Sequence, residues 1–201
     1  MIDDEVARHV VSQEGLPALF PTHAHHVSFW EALGRAVATF GFLEETLAKA
    51  IFSFAATKPY AESEIEAAFS AWLPKLERLL SDQLGGLIDT YGKAIREHPR
   101  STISNLNELL GDLRKASSTR NVLCHGSWRV PNTSGASLPL FMNRQNELCT
   151  TTFDVESLEG IRKHTVVLIC AVINSVTHMG WQFPGSAGPG KVVWHHAHSA
   201  P

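Results

Sequence analysis

Arg120, Asn121 and His125 fall within six consecutive residues of the stretch STRNVLCHGSWRV (118–130). An arginine keeps its charge at any physiological pH and presents a planar fork of donors that matches a phosphate. An imidazole exchanges a proton near neutrality. An amide between them can orient either the phosphate or the ring. If the stretch is helical, Asn121 and His125, four residues apart, share one face, and Arg120 and Cys124 share the adjacent one. Gly126 then offers a left-handed termination that leaves His125 at the helix end. The group is equipped for phosphate chemistry. It also has a plainer use, because a histidine at a helix C-terminus caps carbonyls and complements the dipole.

These residues must be positioned by helices, and the apolar spacing supplies them. Leu33, Val37, Phe40, Leu47, Ile51 and Phe54 recur at helical steps from Ser28 onward, with Glu44 inside the same stripe. A second stripe, Ile65, Phe69, Trp72, Leu76, Leu80 and Leu87, follows Glu62, and Pro74 within it predicts a kink or a new helix. Gly85–Gly86 is a weak point before a helix through Ile95 that stops near Pro99. With Ser101 or Thr102 as N-cap, the next stripe is Ile103, Leu106, Leu110, Leu113, Ser117 and Arg120, continuing to Cys124.

Glu44 and Arg120 are thus polar members of two apolar stripes. Burying either charge alone is strongly unfavourable, whereas a hydrogen-bonded pair is tolerated. The expectation is that Glu44 faces Arg120; the alternative is that Glu44 lies at the stripe's edge, solvated beside Glu45.

After Gly126 the pattern changes to short alternating segments. Ser127–Val130, Pro139–Met142 and Leu148–Phe153 read as strands, with NTSGAS and NRQN as turns. The last helix starts at Asp154 or Ser157 as cap and runs through Leu158, Leu168 and Val176 to Gly180. The fold class expected is mainly α: an up-and-down bundle of four to five main helices, with a small β-hairpin or meander inserted at about 127–153 before the last helix. Residues 1–27 read as an arm with a short helix near Asp4–Gln13, residues 28–183 as the domain, and residues 184–201 as a flexible tail.

The bulk properties fit one packed domain. The 201 residues are 44% hydrophobic and 18% charged, and the net charge of −3 provides no chain-wide basic field, so any RNA contact is local. No apolar run is long enough for a membrane span, MIDDE is a poor start for a signal peptide, and a cytoplasmic location is the expectation. Cys124, Cys149 and Cys170 lie far apart with no CxxC pair, against a disulfide framework or a zinc site.

Arg120 to His125, RNVLCH, resembles the signature of the HEPN superfamily: an arginine, commonly followed by a polar residue, and a histidine after four to six positions. The resemblance in organisation covers roughly residues 28–180, and at the level of the motif about seven residues. It implies a helical bundle that dimerises with two motifs facing each other, and a metal-independent endoribonuclease of the kind found in toxin–antitoxin pairs and phage defence, with no cofactor. Partners would be a second copy, RNA and an antitoxin or regulatory protein. By the resemblance Arg120 and His125 are catalytic, Asn121 supports them, and Glu44 takes the place of the acidic residue that assists the motif in some branches. Where one branch carries a nucleotide-accepting tyrosine, two positions after the histidine, this chain has Ser127, so neutralisation by that route is not expected.

Arg114, Lys115, Arg129 and Arg144 could form a local phosphate-binding rim, or be ordinary solvated surface. Trp128 could stack on a base, with packing the plainer role. The histidines of HAHH (23–26) and HHAHS (195–199) are of a type that binds transition metals, but they lack supporting carboxylates or cysteines, and no metal site is assigned.

Overall fold

A computed structural model describes residues 9–79 and 82–186, without the side chains of residues 72, 73 and 75–79. Five helices account for the architecture: α1 (Val27–Ala56), α2 (Ile65–Leu79), α3 (Leu84–Arg96), α4 (Leu106–His125) and α5 (Val155–Thr177). Between α4 and α5 lies a small antiparallel hairpin, β1 (Ser127–Trp128) with β2 (Pro139–Leu140).

The core forms where the stripes converge. Phe40, Leu47 and Phe54 of α1 are buried with Ile88 and Tyr91 of α3, Leu110 and Leu113 of α4, and Leu158 and Val172 of α5. Each such side chain contributes about 1.5–3 kcal/mol on burial. Helix directions follow from the pairings. Arg114 meets Asp89 at 2.9 Å and Arg96 meets Asn107 at 3.0 Å, so α3 and α4 run antiparallel. Trp181, just beyond α5, packs on Phe54 late in α1, while Val155 and Phe29 line one cavity at the helix starts, so α1 and α5 run the same way. Gly92 permits the α3–α4 approach: a Cβ there would lie 2.8 Å from Leu110 Cδ1. The Tyr91 hydroxyl donates to Ser175 Oγ at 2.7 Å, and burial pushes the phenol's pKa up.

Several local expectations change. The helix α2 runs through Pro74 instead of restarting there, and its Ile65 and Phe69 are exposed rather than buried. Periodicity reported a face but not a neighbour for it. The side chains of Trp72 and Leu76, and Leu80 altogether, lie outside the described residues. The start of α4 falls at Leu106, after an extended segment, so neither Ser101 nor Thr102 is its cap and Ile103 packs on the core from outside the helix. The two candidate caps of α5 act together: Asp154 accepts the Ser157 amide hydrogen at 2.8 Å and the Ser157 hydroxyl accepts that of Asp154 at 2.8 Å. The Ser157 amide, donating to the charged carboxylate, holds the Asp154 carboxyl below its usual pKa.

In the insertion the expected strands shorten. Only two residues of each of the first two segments pair as strands, and the third contributes two isolated bridges, Met142 with Leu148 and Ser137 with Phe153. The turns are held by side chains: Asn132 Oδ1 accepts from the amides of Ser134 and Ala136, each at 3.0 Å, and Asn143 Oδ1 from those of Gln145 and Glu147 at 3.0 and 2.9 Å. In the arm a 3-10 turn at Gln13–Gly15 stands where the short helix was expected to end. Residues 9–12 of that expected helix are not helical; its earlier part falls within residues 1–8, which, with residues 187–201 of the tail, HHAHS included, lie outside the described residues.

Candidate active site at the end of helix α4

The helix α4 stops where a glycine admits a second chain segment. Gly126 has φ −70° and ψ 135°, which is extended backbone and not the left-handed termination expected from the sequence. Glycine is required there for space: a Cβ would lie 2.6 Å from the Val122 carbonyl oxygen and 2.7 Å from Pro139 Cβ. The Gly126 amide still donates to Val122 at 2.8 Å, and the chain turns directly into β1. Consequently the insertion folds back beside the last turns of α4.

The last turns of α4 present two polar faces. Toward α1, Arg120 Nη2 lies 3.3 Å from Glu44 Oε1, and each side chain is about one quarter exposed (25% and 26%). The two polar members of the apolar stripes therefore meet at the edge of the core. Glu44 Oε1 is itself buried and accepts no hydrogen bond, so the contact is coulombic and not aligned. Arg120 Nη1 reaches Asn121 Oδ1 at 3.5 Å, a long contact. The guanidinium thus retains donor capacity for an incoming oxyanion.

Away from α1, Asn121 and His125 line a groove of about 700 Å3. Ser117 and Ser118, four and three residues before Asn121, extend that helix wall by one further turn. The start of α3 (Leu84, Gly85) and the segment between Phe141 and Thr151 also line the groove. His125 is exposed and hydrogen-bonds to none of the described residues, so both ring nitrogens are open to a substrate. Arg120 is not among the groove's lining residues; Asn121 is its link to them.

The expected basic rim divides. Arg144 lines the groove and forms no ion pair among the described residues. Arg114 is paired with Asp89, and Lys115 with Asp112 at 3.0 Å. Arg129 is exposed away from the groove lining, its carbonyl accepting the Ser137 hydroxyl at 2.5 Å. Trp128 is half-buried, edge-on to Phe29 at 5.1 Å and Phe153 at 5.8 Å, where it fixes the insertion to α1. Ser118, Met142 and Leu148 line the groove without having been singled out in the sequence. Ser118 was within reach, standing seven residues before His125 on the same helical face. The hairpin residues were not, because their placement depends on the fold-back at Gly126.

The arm histidines are used in packing and capping. His23 stacks on Phe20 at 5.8 Å, and His26 Nδ1 accepts from the Ser28 amide at the start of α1. His25 lies against Phe29 at 4.6 Å with both ring nitrogens buried and without a hydrogen bond. Burial lowers its pKa, and the Arg129 carbonyl, which opposes that shift, is not aligned for a hydrogen bond. Among the described residues no cluster of three or more histidine, cysteine or acidic side chains could hold a metal, and no helix is long and apolar enough to cross a membrane. Compared with family models, curated proteins and solved structures, the chain matches none.

Proposed function

We propose that the protein is a metal-independent endoribonuclease of HEPN type, working as a homodimer in toxin–antitoxin or phage-defence biology and restrained by a partner protein. The observation that carries this reading is the division of labour at the end of α4. Asn121 and His125 face an open groove, while Arg120 keeps free donors and is backed by the Glu44 carboxylate.

Such a set can run transesterification with the chain's own groups. Neutral His125 takes the proton of a ribose 2′-hydroxyl, whose oxygen attacks the adjacent phosphorus. Arg120 stabilises the added charge on the phosphorane. The bond to the 5′-oxygen breaks as that oxygen receives a proton, leaving a 2′,3′-cyclic phosphate and a 5′-hydroxyl. In an in-line displacement the attacking 2′-oxygen and the departing 5′-oxygen lie on opposite sides of the phosphorus, so one fixed imidazole is badly placed to serve both, and a second copy's motif is the natural donor of the second proton. That is the mechanistic case for a dimer.

A second reading has its own observation. Arg120 leans toward Glu44 and not into the groove, as it would in a non-catalytic helical interaction module. RNA incubated with the full chain in EDTA separates the two. Cleavage that is lost in both Arg120→Ala and His125→Ala supports the ribonuclease. Equal cleavage in both variants removes the site assignment, and no cleavage by any form favours the module.

A further inference from the structure

The groove that His125 lines is also lined by a second, smaller hairpin, residues 141–149, bridged at Met142 and Leu148, which no part of the motif requires. Met142 and Leu148 are bridged across it, so their side chains project from the same face, and both line the groove. They are 54% and 55% exposed, an apolar pair left open beside a polar helix wall. Their spacing is held by the turn: Asn143 Nδ2 donates to Glu147 Oε2 at 2.7 Å, and the Cys149 amide donates to the Phe141 carbonyl at 2.8 Å. Arg144, at the turn, contributes a cation with no ion-pair partner among the described residues, whereas Glu147 is engaged by Asn143.

We infer that this hairpin seats one unpaired base of a single-stranded RNA on Met142 and Leu148, with Arg144 on the flanking phosphate, so that the neighbouring ribose lies toward His125. The inference rests on the ribonuclease reading for its ligand class. Three features choose a single strand. A groove of about 700 Å3 has the size of a small-ligand site. A duplex keeps its base faces stacked and is held largely through phosphate and 2′-hydroxyl contacts, yet among the described residues Arg144 is the one arginine or lysine lining the groove. An exposed apolar shelf is useful to a base whose face is free, and the flexible Met142 side chain adapts to purine or pyrimidine.

The test uses the full chain and a short fluorescein-labelled RNA with 2′-O-methyl riboses, which binds but cannot be cut, as single strand and as duplex. The double variant Met142→Ser/Leu148→Ser should weaken single-strand binding roughly tenfold, the scale of losing one base-stacking contact. Arg144→Ala should weaken it by a smaller factor and flatten the salt dependence. Unchanged affinity in the double variant, equal affinity for the duplex, or no binding by the unmodified chain overturns the inference. If the double variant does not fold, photo-crosslinking of a 4-thiouridine RNA to the unmodified chain replaces it. A crosslink within residues 141–148 is expected, and one confined to another surface overturns the proposal. Cleavage of unmodified RNA, measured in parallel, keeps the two claims apart. Hairpin-dependent binding without cleavage leaves this inference standing and removes the ribonuclease, while cleavage with hairpin-independent binding does the reverse.

Discussion

His98 and His125 stand near opposite ends of α4 and have opposite surroundings. His98 follows α3, close to where α4 begins, and is 4% exposed. Its Nδ1 accepts the Arg100 amide hydrogen at 3.2 Å, which leaves the ring proton on Nε2, 3.4 Å from the Thr57 hydroxyl. Trp181 at 4.8 Å and Phe54 at 6.0 Å enclose it edge-on. Every polar atom of that ring is occupied, so His98 can hold the bundle together but cannot exchange a proton with a substrate. His125 is exposed, hydrogen-bonds to none of the described residues and lines an open groove. The difference separates a histidine committed to the fold from one whose ring is left open to the proposed chemistry.

That contrast can be broken at several points. The largest stability effect is expected at the closed end. His98→Ala removes a buried ring and its two hydrogen bonds, at a cost of about 2–4 kcal/mol in urea unfolding, while cleavage per folded molecule stays unchanged. Next comes Gly126→Ala, whose Cβ has no room against Val122 and Pro139. It should cost about 1–3 kcal/mol and reduce cleavage as well, because the same strain shifts His125 relative to the hairpin. Equal stability with normal cleavage would show that the fold-back does not depend on glycine.

Glu44→Gln keeps the shape but removes the charge facing Arg120. An unaligned pair at the edge of the core, each side chain about one quarter exposed, is worth about 1 kcal/mol or less, so the melting temperature should fall by only a few degrees while cleavage drops severalfold. A fall in stability alone would assign the pair to the bundle and not to the site. The smallest effect belongs to His25. Its pKa is lowered in the folded state, so the unfolded chain takes up a proton first as pH falls below about 6.5. The stabilisation from docking the neutral ring is complete above that value and is lost as pH drops toward the folded pKa. His25→Leu should remove this acid slope from the unfolding curves, and an unaltered slope would locate it elsewhere.

How much of this was legible depends on how far each feature reaches along the chain. The stripe through Leu33, Phe40, Leu47 and Phe54 marks a helix by local spacing, and the polar misfits Glu44 and Arg120 point at each other because neither charge is stable alone in an apolar setting. The same reasoning fails at Ile65 and Phe69, where the spacing defines a helical face but that face is exposed and not packed into the core. His98 was invisible in the sequence, since its four-sided enclosure is assembled from α1, the turn after α3 and the segment after α5. The groove was half legible: the helix wall follows from a seven-residue repeat of direction, whereas the hairpin wall depends on two backbones meeting at Gly126.

The central claim is that His125 moves a proton in RNA cleavage with no metal involved. Its most direct test is end-group analysis of RNA cut in EDTA by the unmodified chain and by His125→Ala. The account predicts 2′,3′-cyclic phosphate and 5′-hydroxyl ends, formed about 10²–10⁴ times more slowly by the variant, with the same unfolding midpoint because the ring is exposed and unbonded. The same ends at the same rate from His125→Ala would contradict it.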